Sequence, residues 1–140
     1  MRSVFADAGY WIALLNPKDE LNQVAQKVAL NLNPVHIVTS EMVLVEVLDF
    51  YSTWGSALRS YAASAVEAVT KDPNVTVIPQ TRDLFRRAMR RFKERPDKDW
   101  SLTDCASFLI MEERGISEAL AHDRHFQQAG FQALLRTEQT

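Results

Sequence analysis

Short apolar runs alternate with longer stretches of helical period along nearly the whole chain, and that alternation limits the possible folds more than any other feature. Ser3-Val4-Phe5-Ala6, Val35-His36-Ile37-Val38, Val75-Thr76-Val77-Ile78 and Ser117 to Ala121 read as strands, and Phe131 to Leu135 is a fifth candidate. Between them, apolar residues recur at helical spacing. Trp11, Leu14 and Leu15 share a face before Asn16-Pro17 ends the first helix. Val24, Ala25, Val28, Ala29 and Leu32 do so before Asn33-Pro34. Thr39 or Ser40 is a suitable N-cap for a long helix carrying Glu46. Residues 56 to 71 continue as helix with Leu58, Tyr61, Ala62, Ala65 and Val69 inward, up to the break at Lys71-Asp72-Pro73-Asn74. Leu84, Phe85, Ala88, Met89 and Phe92 stripe a further helix. Glu94 to Trp100 is a polar loop, and Leu102 to Glu113 is a last long helix that Gly115 closes. Buried strands joined by helices build a parallel sheet covered on both faces. The expectation is therefore an α/β chain, a single domain over residues 1–140, with three α/β/α layers and a mostly parallel sheet of about five strands.

The 140 residues suit one domain. No apolar run approaches the ~20 residues needed to span a bilayer, which argues against a membrane protein. The first apolar stretch is broken by Asp7 and does not resemble a secretory signal, so a cytoplasmic location is expected. Cys105 has no partner for an internal disulfide and reads as a small buried residue. A net charge of −2 argues against coating nucleic acid by bulk electrostatics, so contact with such a partner would be local.

Four acids then stand out. Asp7 closes Val4-Phe5-Ala6, Glu46 interrupts the apolar run from Met42 to Leu48, Asp104 opens a helix, and Asp123 follows Ala119-Leu120-Ala121. Each has an ordinary explanation. Asp104 with Ser101 fits a capping box, Asp7 and Asp123 fit helix N-caps, and Glu46 can reach solvent beside Asp49. Capping does not require them to converge, however. In a parallel sheet Asp7 and Asp123 lie at the carboxyl ends of two strands, where ligands bind, and Asp104 and Glu46 can project over the same edge. Carboxylates gathered near apolar surroundings need cations, so the four point to a divalent metal site.

The blocks Val4-Phe5-Ala6-Asp7, Thr39-Ser40 with Glu46, Trp100-Ser101-Leu102-Thr103-Asp104-Cys105 and Ala121-His122-Asp123-Arg124-His125-Phe126, with Ala129-Gly130-Phe131, resemble the PIN-domain family. More narrowly they resemble the VapC-type ribonuclease toxins of toxin–antitoxin pairs. The resemblance covers nearly the whole chain. It implies that Asp7, Glu46, Asp104 and Asp123 are the catalytic quartet and that the cofactor is Mg²⁺ or Mn²⁺. Oxygen donors without a Cys or His requirement suit such hard ions better than zinc. Asp7, Asp104 and Asp123 are then the expected ligands, with Glu46 a ligand or the group that orients the attacking water. Hydrolysis of RNA to a 5′-phosphate and a 3′-hydroxyl is implied, with one or two ions activating water and steadying the leaving oxygen. The family usually has Thr or Ser after the first aspartate, and this chain has Ala8-Gly9.

Ser101 is expected to orient Asp104 or a phosphate. The segment from Arg82 to Lys98 is rich in cations, and Arg87, Arg91 and Arg95 in particular are expected to meet RNA phosphates. Asp99, His122 and His125 lie beside the quartet in sequence, with ordinary loop or packing roles favoured. A small antitoxin and a second copy of the chain are the implied partners, with Tyr10, Trp11, Tyr51 and Trp54 as candidate contact points. Two other readings compete. A phosphoacceptor receiver domain needs an aspartate after the third strand and a lysine after the fifth, whereas Pro79-Gln80 follows the third and no lysine follows Leu135. A PIN-like module that binds RNA or protein with weak or no nuclease activity is the alternative that Ala8 sustains.

Overall fold

The computed structural model describes residues 1–139, and of residues 137–139 the backbone alone. Five strands, β1 Ser3–Ala6, β2 His36–Ser40, β3 Val75–Ile78, β4 Glu118–Leu120 and β5 Gln132–Ala133, form one sheet in the order β3-β2-β1-β4-β5. Every pairing is parallel. Helices α1 Ala8–Leu15, α2 Asn22–Leu32, α3 Glu41–Tyr51 and α4 Ser56–Lys71 pack together as one layer. Helices α5 Arg82–Glu94, α6 Leu102–Arg114 and α7 His125–Gln128 form the other. The architecture is thus the expected α/β/α, and the sheet is wholly parallel among the described residues. No helix is long and apolar enough to cross a membrane.

This strand order decides where a ligand can bind. The chain builds outward from β1 through β2 to β3, then returns to lay β4 against the other side of β1. A topological switch point results, which opens a crevice at the carboxyl ends of β1 and β4. The Asp7 amide donates to the Leu120 carbonyl at 3.2 Å, which carries the β1–β4 ladder up to that crevice.

Aromatic packing fixes the helices around the crevice. Phe5 on β1 meets Phe126 on α7, and Phe126 meets Phe108 on α6 edge to face at 5.1 Å. Trp100 closes the column on Phe108 at 5.0 Å. All three phenylalanines are fully buried, so α6 and α7 are held to the central strand by its largest side chains. On the other face the buried Thr39 hydroxyl donates to the Ala6 carbonyl and accepts from the Trp11 indole, tying β2, β1 and α1 together. At the far end of α6, Gly115 takes a left-handed conformation, with φ of 65°. That lets Ile116 bond back to Met111 and turns the chain into β4.

Several elements depart from expectation. The second strand runs to Ser40, because Thr39 and Ser40 pair with Val77 and Ile78, and Ser40 still caps α3 by accepting from the Val43 amide. The fifth strand shrinks to Gln132–Ala133, and residues from Leu134 turn into a 3₁₀ helix. Tyr61 points outward at 54% exposure, since α4 buries only Ala62 fully. The stripe of α5 is also turned. Leu84 and Ala88 are buried, whereas Phe85, Met89 and Phe92 lie on the surface. Of the four aromatic contact candidates, Tyr10, Trp11 and Tyr51 are core and Trp54 is exposed. Cys105 is buried, as expected.

Candidate active site

Asp7 occupies the N-cap position of α1 with extended backbone, yet its carboxylate makes no capping hydrogen bond there. The side chain is instead buried at the carboxyl end of β1, only 9% exposed. Burial, and then the charges of Asp104, Glu46 and Asp123, push its pKa from 3.8 up to about 7, opposed only by the Ala8 amide. The charges of the other three acids thus reach Asp7, while the group whose ligand atoms lie within 4.8 Å of one another is Asp104, Asp123 and His125, without Asp7 or Glu46.

Asp104 is both a cap and a member of this cluster. Its amide donates to Ser101 Oγ and its Oδ2 accepts from the Ser101 amide, each at 3.0 Å, completing the capping box of α6. The same Oδ2 accepts from His125 Nδ1 at 2.8 Å. Burial raises its pKa, while the Ser101 amide and His125 work against the rise. Glu46 approaches from α3 and is half-buried. Desolvation raises its pKa, the Thr103 hydroxyl opposes, and Asp104 and Asp49 add to the rise. Asp123 is the most open of the four. Its Oδ1 accepts from the His125 amide at 2.9 Å, and its Oδ2 lies 3.2 Å from His125 Nδ1.

His125 therefore belongs to the site, although its sequence position favoured simple packing. One ligand atom each from Asp104, Asp123 and His125 lie within 4.8 Å of one another, a spacing compatible with one metal ion. A signal was present in the sequence. His125 sits two residues after Asp123 and just before the apolar Phe126, which is fully buried. The donor set of carboxylate oxygens with one imidazole suits Mg²⁺ through its oxygens and Mn²⁺ through either donor type.

Ser101 stands at the edge of the cluster as the N-cap of α6. Arg87, Arg91 and Arg95 are not drawn into the carboxylates, and each is already engaged by acid. Arg87 bridges Asp83 and Glu113, Arg91 forms a two-point pair with Glu112, and Arg95 pairs with Asp97 while lying over the Trp100 ring. The first two clamp α5 onto α6. Asp99 is exposed and lines a cleft of about 420 Å³ beside Trp100 and Cys105, away from the four acids. His122 offers its carbonyl to Arg136.

Similarity to known proteins bears on the family and the fold. The PIN domain family matches residues 4–132. The 23S rRNA-specific endonuclease VapC20 of Mycobacterium tuberculosis is 32% identical over 131 residues, covering 91% of this chain and 95% of that protein. The crystal structure of VapC20 from the same organism, described as a Sarcin-Ricin loop cleaving toxin, matches with a TM-score of 0.82. It shares 28% identity and is covered to 95%, against 91% of this chain.

Proposed function

This chain belongs to the PIN-domain family, and from that premise we propose that it is a metal-dependent endoribonuclease, the toxin of a toxin–antitoxin pair, acting in the cytoplasm as the single domain of residues 1–140. The observation that carries the reading is the Asp7 carboxylate, buried at the carboxyl edge of the central strand and crowded by three further acids. Such a group is costly to ionise without a cation.

Asp7, Asp104 and Asp123 would hold Mg²⁺ or Mn²⁺. The bound ion supplies Lewis-acid activation of water and of the phosphodiester. Ser101 fixes Asp104 through the capping box, and His125 holds the Asp104 and Asp123 carboxylates in mutual register. Glu46, half-buried with a raised pKa, is suited to accept the proton of the attacking water. Water oxygen bonds to phosphorus, the bond to the 3′ oxygen breaks, and the 3′ oxygen takes a proton from solvent to leave as a hydroxyl, giving a 5′-phosphate on the other fragment. By similarity to VapC20, the first RNA to offer is a 23S rRNA fragment containing the sarcin–ricin loop.

The antitoxin would cover the apolar crevice between α1, α3 and α4, about 170 Å³ in volume and walled by Trp11, Leu15, Leu44, Val47 and Val66, and a second copy would form a homodimer. A second reading, a PIN-like module that binds RNA with little cleavage, draws on Ala8, which places a methyl group where a hydroxyl would support the metal site.

Cleavage of that fragment by purified protein with Mg²⁺ or Mn²⁺ separates the two readings. Cutting that EDTA, Asp7→Asn and Asp104→Asn each abolish is expected. Metal binding by a folded, antitoxin-free protein that cuts none of a set of structured RNAs would sink the nuclease reading in favour of the module.

A further inference from the structure

We infer that the outer face of α5 is a docking surface for the RNA, with its unpaired arginines on phosphates and its exposed aromatic rings against bases; the inference rests on the ribonuclease reading above. At 100° per residue, Leu84 and Ala88 mark the side of α5 turned to the core, and Arg87 and Arg91 flank it, tied to Glu113 and Glu112 of α6. What remains outside has two stripes. Arg82, Arg86 and Arg90 fall on one, with Lys93 at its end, and all are exposed. Phe85, Met89 and Phe92 fall on the other, at 37%, 50% and 53% exposure.

The first stripe is a charge arrangement without internal compensation. Arg82, Arg86 and Arg90 stand at i, i+4 and i+8, where like charges repel. Among the described residues none has an acidic partner, while the three arginines on the packed side and the loop each have one. The chain as a whole is slightly acidic, so this row is a local concentration of positive charge. A polyanion supplies what the row lacks. The second stripe suits the same ligand, because unstacked bases present flat apolar faces to aromatic side chains beside cations.

The surface also continues past the helix. Phe92 opens onto the cleft of about 420 Å³ whose other walls include Arg95, Lys98 and Trp100, so cations stand beside aromatic rings there too.

The test is fluorescence-anisotropy binding of the sarcin–ricin stem-loop at several salt concentrations, in the full chain carrying Asp104→Asn so that the RNA stays intact. Joint replacement Arg82→Gln, Arg86→Gln and Arg90→Gln is expected to lower the salt slope by about 2, at roughly 0.7 for each phosphate no longer neutralised. Phe92→Ser is expected to weaken binding about tenfold with the slope unchanged, the signature of lost stacking. Lys27→Gln on α2 should change neither. Circular dichroism checks that each variant is folded. Unchanged affinity and slope in folded α5 variants would overturn the docking surface and leave the nuclease reading standing. The same result with an altered oligomeric state would assign the face to protein contacts. A parent chain that neither binds nor cuts RNA would remove both.

Discussion

His125 Nδ1 lies 2.8 Å from Asp104 Oδ2 and 3.2 Å from Asp123 Oδ2, so a single imidazole holds together two carboxylates that are 19 residues apart in sequence. Asp104 comes from the start of α6 and Asp123 from the segment after β4. The ring thus ties the start of α6 to that segment.

Replacing His125 by Ala is therefore expected to weaken Mn²⁺ binding by about 10–100-fold, the usual range for losing a group that orients metal ligands. Isothermal titration calorimetry gives the number directly. Unaltered affinity would mean that Asp104 and Asp123 keep their positions unaided.

Asp7 makes metal-free stability depend on pH with a definite sign. Its folded pKa of about 7 lies above the ordinary 3.8, so the folded state retains a proton that the unfolded chain has lost. The Asp7 contribution to stability is then largest below pH 4, declines between about pH 4 and 7, and levels off above that. Thermal melts in EDTA should show this decline, and Asp7→Asn should flatten it and raise Tm at pH 8. Mn²⁺ should raise the Tm of the parent more at pH 8 than at pH 5.5, since ligands must be ionised to bind it. A parent whose stability climbs through this window would contradict the buried, crowded placement of Asp7.

Asp104 has two roles that substitution can separate. Asn keeps an acceptor for the Ser101 amide, so Asp104→Asn should fold at least as stably as the parent in EDTA, with one less charge in the cluster, while cleavage falls roughly 100-fold or more. Asp104→Ala should lose the same activity and also about 1 kcal/mol of stability through the missing cap. Paired urea denaturation and cleavage rates distinguish the two. Equal stability of the Asn and Ala variants would show the cap to be inert.

The Thr39 hydroxyl is fully buried, donates to Ala6 and accepts from Trp11. Thr39→Val keeps the shape but leaves the indole N–H and the Ala6 carbonyl without that partner. A cost of about 1–3 kcal/mol is expected from urea denaturation. A loss well under 1 kcal/mol would indicate that Trp11 finds another acceptor.

The strand and helix alternation was readable because each buried strand is a short apolar run with Pro, Gly or polar residues at its borders. The placement of Asp7 and Asp123 at the carboxyl ends of β1 and β4 was readable because each follows such a run. Asp104 shows how a capping signature and a cluster position coincide, since the same Oδ2 serves Ser101 and His125. The orientation of α5 was not readable. Phe85, Met89 and Phe92 have the spacing of a core stripe, but the face α5 buries is that of Leu84 and Ala88, with Arg87 and Arg91 beside it paired to Glu113 and Glu112 of another helix. His125 escaped for a related reason. Its partner Asp104 is 21 residues earlier, and local pattern carries no record of that distance. Tyr61 has helical spacing too, but α4 buries so little that the pattern overstates its inner face.

The polar loop Arg95 to Trp100 joins α5 to α6, and it divides the acids evenly, with Asp7 and Glu46 before it and Asp104 and Asp123 after it. It divides the sheet as well, leaving β1 to β3 on one side and β4 with β5 on the other. Two polypeptides cut at this loop would each carry half of the carboxylates and an open strand edge that only the other half can fill. On the ribonuclease reading, cleavage would then require both halves together, which turns the β1–β4 junction into a natural seam for a split, coincidence-dependent version of the protein.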